Sequence, residues 1–198
     1  LTTLKSDLAD ANFKVSDDGL VYEINFIGGS KWSDGEPITP QDVAFSIKAN
    51  LKTAVSNGIY TNAFNKIKGA AAWKDGSADD LEGLVIDGNK ITITLDAPYR
   101  ALAATLAQFA ILPEHVLKDA DVLELTKNVE FWSHPVSSGA FMLTEFNVGN
   151  YYVLEQNPYY DVVKPKITKI VSTYVADQIT AAQAGQVDYF NTNVVGTI

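Results

Sequence analysis

A polar turn that runs straight into an amphipathic helix, residues 32–51 (WSDGEPITPQDVAFSIKANL), constrains this chain more than any other stretch. In Ser33-Asp34-Gly35 the Asp side chain can accept from the backbone ahead of it, and Gly can take the positive φ of a tight turn. Thr39 suits the N-cap, Pro40 the first helical position and Asp42 the third, where a carboxylate complements the helix dipole. Val43, Ile47 and Leu51 then recur every four residues as an apolar stripe flanked by Ala44 and Phe45. Such a helix has to lay that stripe on a core.

The flanking chain supplies one. Leu4, Leu8 and Phe13 anchor a mixed lead-in, and Ser16-Asp17-Asp18-Gly19 is a turn signal. Leu20, Tyr22, Ile24 and Phe26 alternate with Val21, Glu23 and Asn25, the period of a half-buried strand that Gly28-Gly29 ends. Residues 53–65 are polar and poorly periodic. Phe64, Ile67 and residues 70–73 predict a short helix broken at Lys74-Asp75-Gly76. Residues 84–86 and 91–95 bracket Asp87-Gly88-Asn89, a hairpin whose second strand turns Ile91, Ile93 and Leu95 to one side and Thr92 and Thr94 to the other. Beyond Pro98, residues 99–109 are rich in Ala and Leu and predict a helix. Residues 131–139 read as irregular, followed by strands at 141–146 and 151–155 around a turn at 147–150. Residues 167–175 predict a mostly buried strand. Asp177 caps a short helix stopped by Gly185, and residues 187–190 predict a last strand. The expected class is a mixed α/β fold.

Composition narrows the function. At 198 residues the chain makes one large domain or two small ones, with 46% hydrophobic residues for a core. A formal net charge of −9 argues against nucleic acid, which needs a basic surface, and against electrostatic docking on an anionic membrane. The chain has no cysteine, hence no disulfide, thiolate metal site or cysteine nucleophile. Residues 1–13 lack the basic start and apolar run of a signal peptide, and no stretch approaches the ~20 apolar residues of a membrane span. That leaves two origins open, a cytosolic protein or a piece of an exported one.

The order of residues is more specific than their periodicity. Trp-Ser-Asp-Gly-x-Pro-x-Thr-x-x-Asp-Val-x-Phe-Ser, carried by Trp32, Asp34, Gly35, Pro37, Thr39, Asp42, Val43, Phe45 and Ser46, resembles the signature of the family 5 extracellular solute-binding proteins. These are the peptide- and nickel-type receptors of ABC importers. The Ser-Asp-Asp-Gly turn and the strand after it look like the same family, as do Ile111-Leu112-Pro113 with His115 and Leu117. Pro135, Ser138, Gly139 and Phe141, with Leu154, Asn157, Pro158 and Tyr160, resemble a second block, and Ala182, Gly185, Val187 and Asp188 a third. Segments alike in this order cover residues 16–194.

The resemblance implies part of a type II periplasmic-binding-protein-like fold, one lobe of a two-lobe clamshell. About residues 1–135 would be most of the smaller subdomain and about 136–198 the start of the main ligand-binding lobe, an excised portion of a longer receptor. It further implies capture of oligopeptides or a related small solute, in the periplasm or lipid-anchored at the outer face of the membrane, and delivery to an ABC permease. A monomer without catalysis, cofactor or metal is expected. Residues 71–86 (AAWKDGSADDLEGLVI) resemble an insertion of peptide receptors, which favours peptide over nickel or sugar. Carried over by position, Asn191, Thr192 and Asn193 lie past the last strand at the ligand, where amides and a hydroxyl can bond a peptide backbone without reading side chains. Ser138 and Gly139, near the crossover between subdomains, are the second candidates.

Other chemistries find less support. His115 and His134 lack further ligands at coordination spacing and read as surface or loop residues. Ser137-Ser138-Gly139 lacks the frame of a nucleophile elbow. The acidic pairs Asp17-Asp18 and Asp79-Asp80 read as solvated turns. Three Trp, nine Tyr and nine Phe, among them Trp32, Trp73, Trp132, Tyr151-Tyr152 and Tyr159-Tyr160, offer contact area for a cleft but serve core packing equally well. A hydrolase with dispersed catalytic residues and a standalone protein-interaction module stay open as alternatives.

Overall fold

The computed structural model describes residues 4–52 and 58–191. Its first half is built on an antiparallel sheet of order β1-β2-β4-β3, from Lys14–Val15, Val21–Asn25, Leu84–Asp87 and Lys90–Thr94. Alternation puts Tyr22 opposite Ile93 and Ile24 opposite Ile91, all four buried, so one face of the sheet is apolar. The hairpin pairs Asp87 with Lys90 across Gly88-Asn89, with Gly88 alone at positive φ, the φ signs of a type II′ turn.

Helix α1 (Pro40–Lys52) lays Ala44, Ile47 and Leu51 on that sheet's core cluster. It is not a one-sided helix. Val43 and Phe45 stay half-buried while Asp42, Ser46 and Ala49 are buried on a second face. There Ala49 meets Leu117 of α5 (Glu114–Leu117), Leu125 of a 3-10 helix (Val122–Lys127) and Phe131 of α6 (Val129–Ser133). The helix therefore joins two apolar clusters.

Several expectations change. Residues 58–64, read as lacking periodicity, form α2 (Gly58–Phe64), because Ala63 and Phe64 bury completely and Phe109 stacks edge-on to Tyr60 and Phe64. Tertiary packing outweighs weak intrinsic propensity. Helix α3 (Ala70–Asp75) ends at Gly76 with φ 79, as its sequence predicts. The helix expected over 99–109 shortens to α4 (Leu102–Leu106). Part of the stretch read as irregular belongs to α6, where the Asn128 side chain accepts from Phe131 N–H as a cap; residues 134–139 are irregular.

The second half holds an antiparallel meander, β5 (Phe141–Asn147), β6 (Tyr151–Gln156) and β7 (Lys169–Thr173), with a register shift between Leu143 and Glu145. The strand predicted as mostly buried is instead β7 at the sheet edge, with Ile170 and Val171 exposed. Among the described residues only Val153 of this sheet is buried, because no second apolar layer closes over it. Helix α7 (Gln178–Gln183) starts as predicted, Asp177 Oδ1 accepting from Ile179 and Thr180 N–H, and Gly185 follows at φ 67. Residues 187–190 are not a strand: no neighbour among the described residues offers them a ladder. Among the described residues no helix is long and apolar enough to cross a membrane.

Candidate functional site

The polar turn at Trp32 closes on its own backbone. Gly35 N–H donates to Trp32 O at 3.0 Å, with Gly35 at φ 95, and Glu36 N–H donates to Asp34 Oδ1. The Trp32 ring is buried beneath it. The other Asp34 oxygen lies 2.8 Å from His115 Nε2, so this histidine is tied to the turn. Asp42 then fastens α1 at both ends of its carboxylate. Oδ2 accepts from Thr39 N–H, the return half of a capping box, and from Thr39 Oγ1, and Oδ1 accepts from Glu114 N–H at 2.8 Å. One turn on, Ser46 Oγ donates to Asp42 O and accepts from Leu112 N–H.

The same turn reaches into the second half of the chain. Ser33 N–H donates to Ser137 O at 2.8 Å, and Ser137 N–H donates to Ser33 Oγ at 3.0 Å. On the far side, buried Asn157 donates through Nδ2 to Gly139 O and through its N–H to Ala140 O, while its Oδ1 accepts from Tyr159 N–H. The Tyr159 ring lies against Gly35, where an added Cβ would come within 3.0 Å of it, and the Lys31 ammonium stands 5.6 Å from the ring centre. Ser138 opens into a small cavity of about 60 Å³ shared with Ser30, Lys31, Tyr159, Tyr160 and Asp161.

The candidates separate into two places. Ser138, half-buried, and Gly139, exposed, sit in the loop between α6 and β5. Asn191 is exposed beyond α7, and neither a hydrogen bond nor either cavity described here links it to Ser138. Thr192 and Asn193 lie outside the described residues. A larger cavity of about 520 Å³ lies between the N-terminal segment and the first sheet, lined by Leu8, Phe13, Phe26, Leu106 and Phe109 among others, and holds none of the candidates. Sequence reasoning missed Ser33 as the partner of Ser137, and Lys31 and Asp161 as neighbours of Ser138. Nothing local marks them, because the bridge from Ser33 to Ser137 spans 104 residues.

The remaining chemistry is structural. Trp73 Nε1 donates to Lys48 O under the Lys52 ammonium, and Trp132 Nε1 donates to Leu125 O. Asp18 is held below the usual carboxylate range by the Ser16 hydroxyl, and Asp80 by the Lys48 ammonium. A general acid would need the opposite direction. Among the described residues no three His, Cys or acidic side chains gather as a metal site.

Comparison with known proteins gives this geometry a context. Oligopeptide-binding protein AppA of Bacillus subtilis is 29% identical over 192 residues, covering 95% of this chain and 33% of its own. The solved lactococcal OppA, complexed with an endogenous peptide in the closed conformation, superposes with a TM-score of 0.79 at 22% identity, over 93% of this chain and 36% of that one. AppA from Bacillus subtilis in complex with a nonapeptide gives 0.72 at 25% identity, over 92% and 34%. The fold is thus mixed α/β and matches one part of that larger architecture. The chain spans about a third of the length of the curated relatives it matches. A family profile matches residues 3–197, nearly every residue present, and the chain belongs to the bacterial extracellular solute-binding proteins, family 5.

Proposed function

We propose that this chain is part of the substrate-binding component of an ABC importer that captures oligopeptides outside the cytoplasmic membrane and delivers them to the permease. The observation that carries the reading is the superposition over 93% of the chain on a receptor solved with peptide bound. About residues 1–135 form most of the smaller subdomain and about 136–198 begin the main lobe. The residues given to the ligand are Asn191, Thr192 and Asn193 first, and Ser138 and Gly139 second. The receptor works in the periplasm or lipid-anchored at the outer face of the membrane, as a monomer.

No bond is made or broken. Peptide is desolvated between two lobes, and contacts made only when they close bias the equilibrium toward closure. Uncharged hydroxyls and amides suit this task, since they bond a peptide main chain whatever its side chains. Isothermal titration of the full-length receptor with a pool of random nonapeptides tests the reading, with nickel ion and a monosaccharide mixture as the other arms. Saturable peptide binding is expected. Binding of nickel or sugar alone overturns the peptide assignment, and no binding in any arm overturns the receptor reading.

A further inference from the structure

A cavity of about 520 Å³ lies inside the first half of the chain, and the fold holds it open. Its floor is the apolar face of the first sheet, Tyr22 and Ile24 on β2 with Ile91 and Ile93 on β4. Val43 of α1 and Ala103 and Leu106 of α4 also line it, and residues 4–11 face the sheet across it. Protein interiors are close-packed, and voids larger than a water molecule are few. Collapse does not close this one. Asp10 N–H donates to Asn25 O at 2.9 Å and Ile27 N–H to Leu8 O at 2.8 Å, so main-chain bonds stitch the facing segment to the end of β2. Phe109, at another edge, is held by Tyr60 and Phe64, with ring centres 5.1 and 4.8 Å away. These walls are fixed by contacts that do not cross the space.

The lining sets what can fill it. The Tyr22 hydroxyl donates to Tyr99 O at 3.1 Å. Ser6 Oγ donates to Asp10 Oδ1, and the two accept from the N–H groups of Ala11 and Asn12. Apart from these and from Lys5 and Asp7, every lining side chain is hydrocarbon. Water needs about two to four polar partners, and an apolar cavity of about 150 Å³ already stays dry and takes up benzene. The volume here falls in the range of small-molecule sites, about 300–1,000 Å³. Lys5 and Asp7 are exposed, and with Asp10 they set two carboxylates against one ammonium, which disfavours an anionic head group. A cation would lose its hydration to walls that return no hydrogen bond.

We propose that this cavity is a second ligand site, which takes an uncharged hydrophobic small molecule with an alkyl or aromatic body. It is separate from the residues given to the peptide, since none of Ser138, Gly139 and Asn191 lines it. The site goes beyond the receptor reading and does not depend on it. Its occupant packs between α4 and the first sheet, so binding favours the folded state.

In the test, the full-length protein that carries this chain is titrated with N-phenyl-1-naphthylamine, an uncharged probe that fluoresces in apolar surroundings. One saturable site per chain is expected. 1-Decanol should displace the probe, decanoate should do so about tenfold less well, and the nonapeptide pool should not. Decanol should also raise the unfolding temperature. Ala103→Phe and Val43→Phe, which place a ring in the space from two different helices, should each weaken probe binding about tenfold or more. Their unfolding temperature without ligand should hold or rise, and their nonapeptide affinity should stay at the wild-type value. Absence of saturable probe binding, displacement by the nonapeptide pool, or wild-type probe affinity in both variants overturns the proposal. A lowered unfolding temperature in both variants means that the space is already filled, and overturns it too. Equal displacement by decanoate overturns the uncharged class. A protein that takes the probe and no peptide keeps this site and loses the receptor reading.

Discussion

Asp42 holds three hydrogen bonds on two oxygens while 2% exposed. Removing it leaves the Thr39 and Glu114 amides without their acceptor at a buried helix start. Asp42→Ala should destabilise the fold by about 3 kcal/mol in urea titrations, with Asp42→Asn recovering part of that. The cap itself was legible, since Thr39, Pro40 and Asp42 stand at the right offsets. The bond to Glu114 was not, because it joins residues 72 apart. Asp177 carries a pH signature. The Thr180 hydroxyl and N–H favour its charged form and lower its pKa below the ordinary 3.8. A depressed folded value means that the cap's contribution is present above pH 3.8 and fades as pH falls through the lower, folded value. The Ile179 and Thr180 amide resonances should shift in that acid range and remain unperturbed near neutrality.

Elements show which periodicities the physics obeys. Strands β2 and β4 follow their alternation because a one-residue slip would turn Tyr22, Ile24, Ile91 and Ile93 to water. Two glycines beside them fail for different reasons. At Gly83 an added Cβ would stand 2.5 Å from Thr94 O and 2.7 Å from Lys68 N, inside a triangle of backbone hydrogen bonds. Gly83→Ala should cost about 3 kcal/mol by overpacking. At Gly88 nothing lies within 4 Å, but φ is +57, so Gly88→Ala should cost only about 1 kcal/mol. Equal losses in chemical denaturation would refute this distinction. Helix α2 stayed illegible because its reason to exist, Phe64 packed edge-on to Phe109, lies 45 residues downstream in the numbering.

Across the whole molecule the two sheets differ in cover. The first is backed by α1 and a continuous apolar cluster, whereas the second exposes Phe146, Ile170, Val171 and Tyr174 nearby. Hydrogen exchange on this 198-residue chain should find β4 amides protected to the global limit and β7 amides exchanging orders of magnitude faster. Equal protection would mean that one cooperative unit spans both sheets. The chain alone should also bind peptide weakly or not at all, because half the contacts that desolvate the ligand belong to the opposing lobe of the proposed clamshell. Micromolar peptide affinity in calorimetry would count against that picture.

The sequence by itself determined the local grammar. It set where chain reversals fall, since only glycine accepts the positive φ at residues 35, 76, 88 and 185, and which strand faces are apolar. Ordered motifs along the chain were also enough to recognise the family. Tertiary structure decided what is adjacent. That Ser33 bridges Ser137, that Tyr159 covers Gly35 and that β7 lies open all depend on contacts between residues far apart in the chain. Periodicity records which side of an element is apolar, and says nothing of which distant segment will come to cover it.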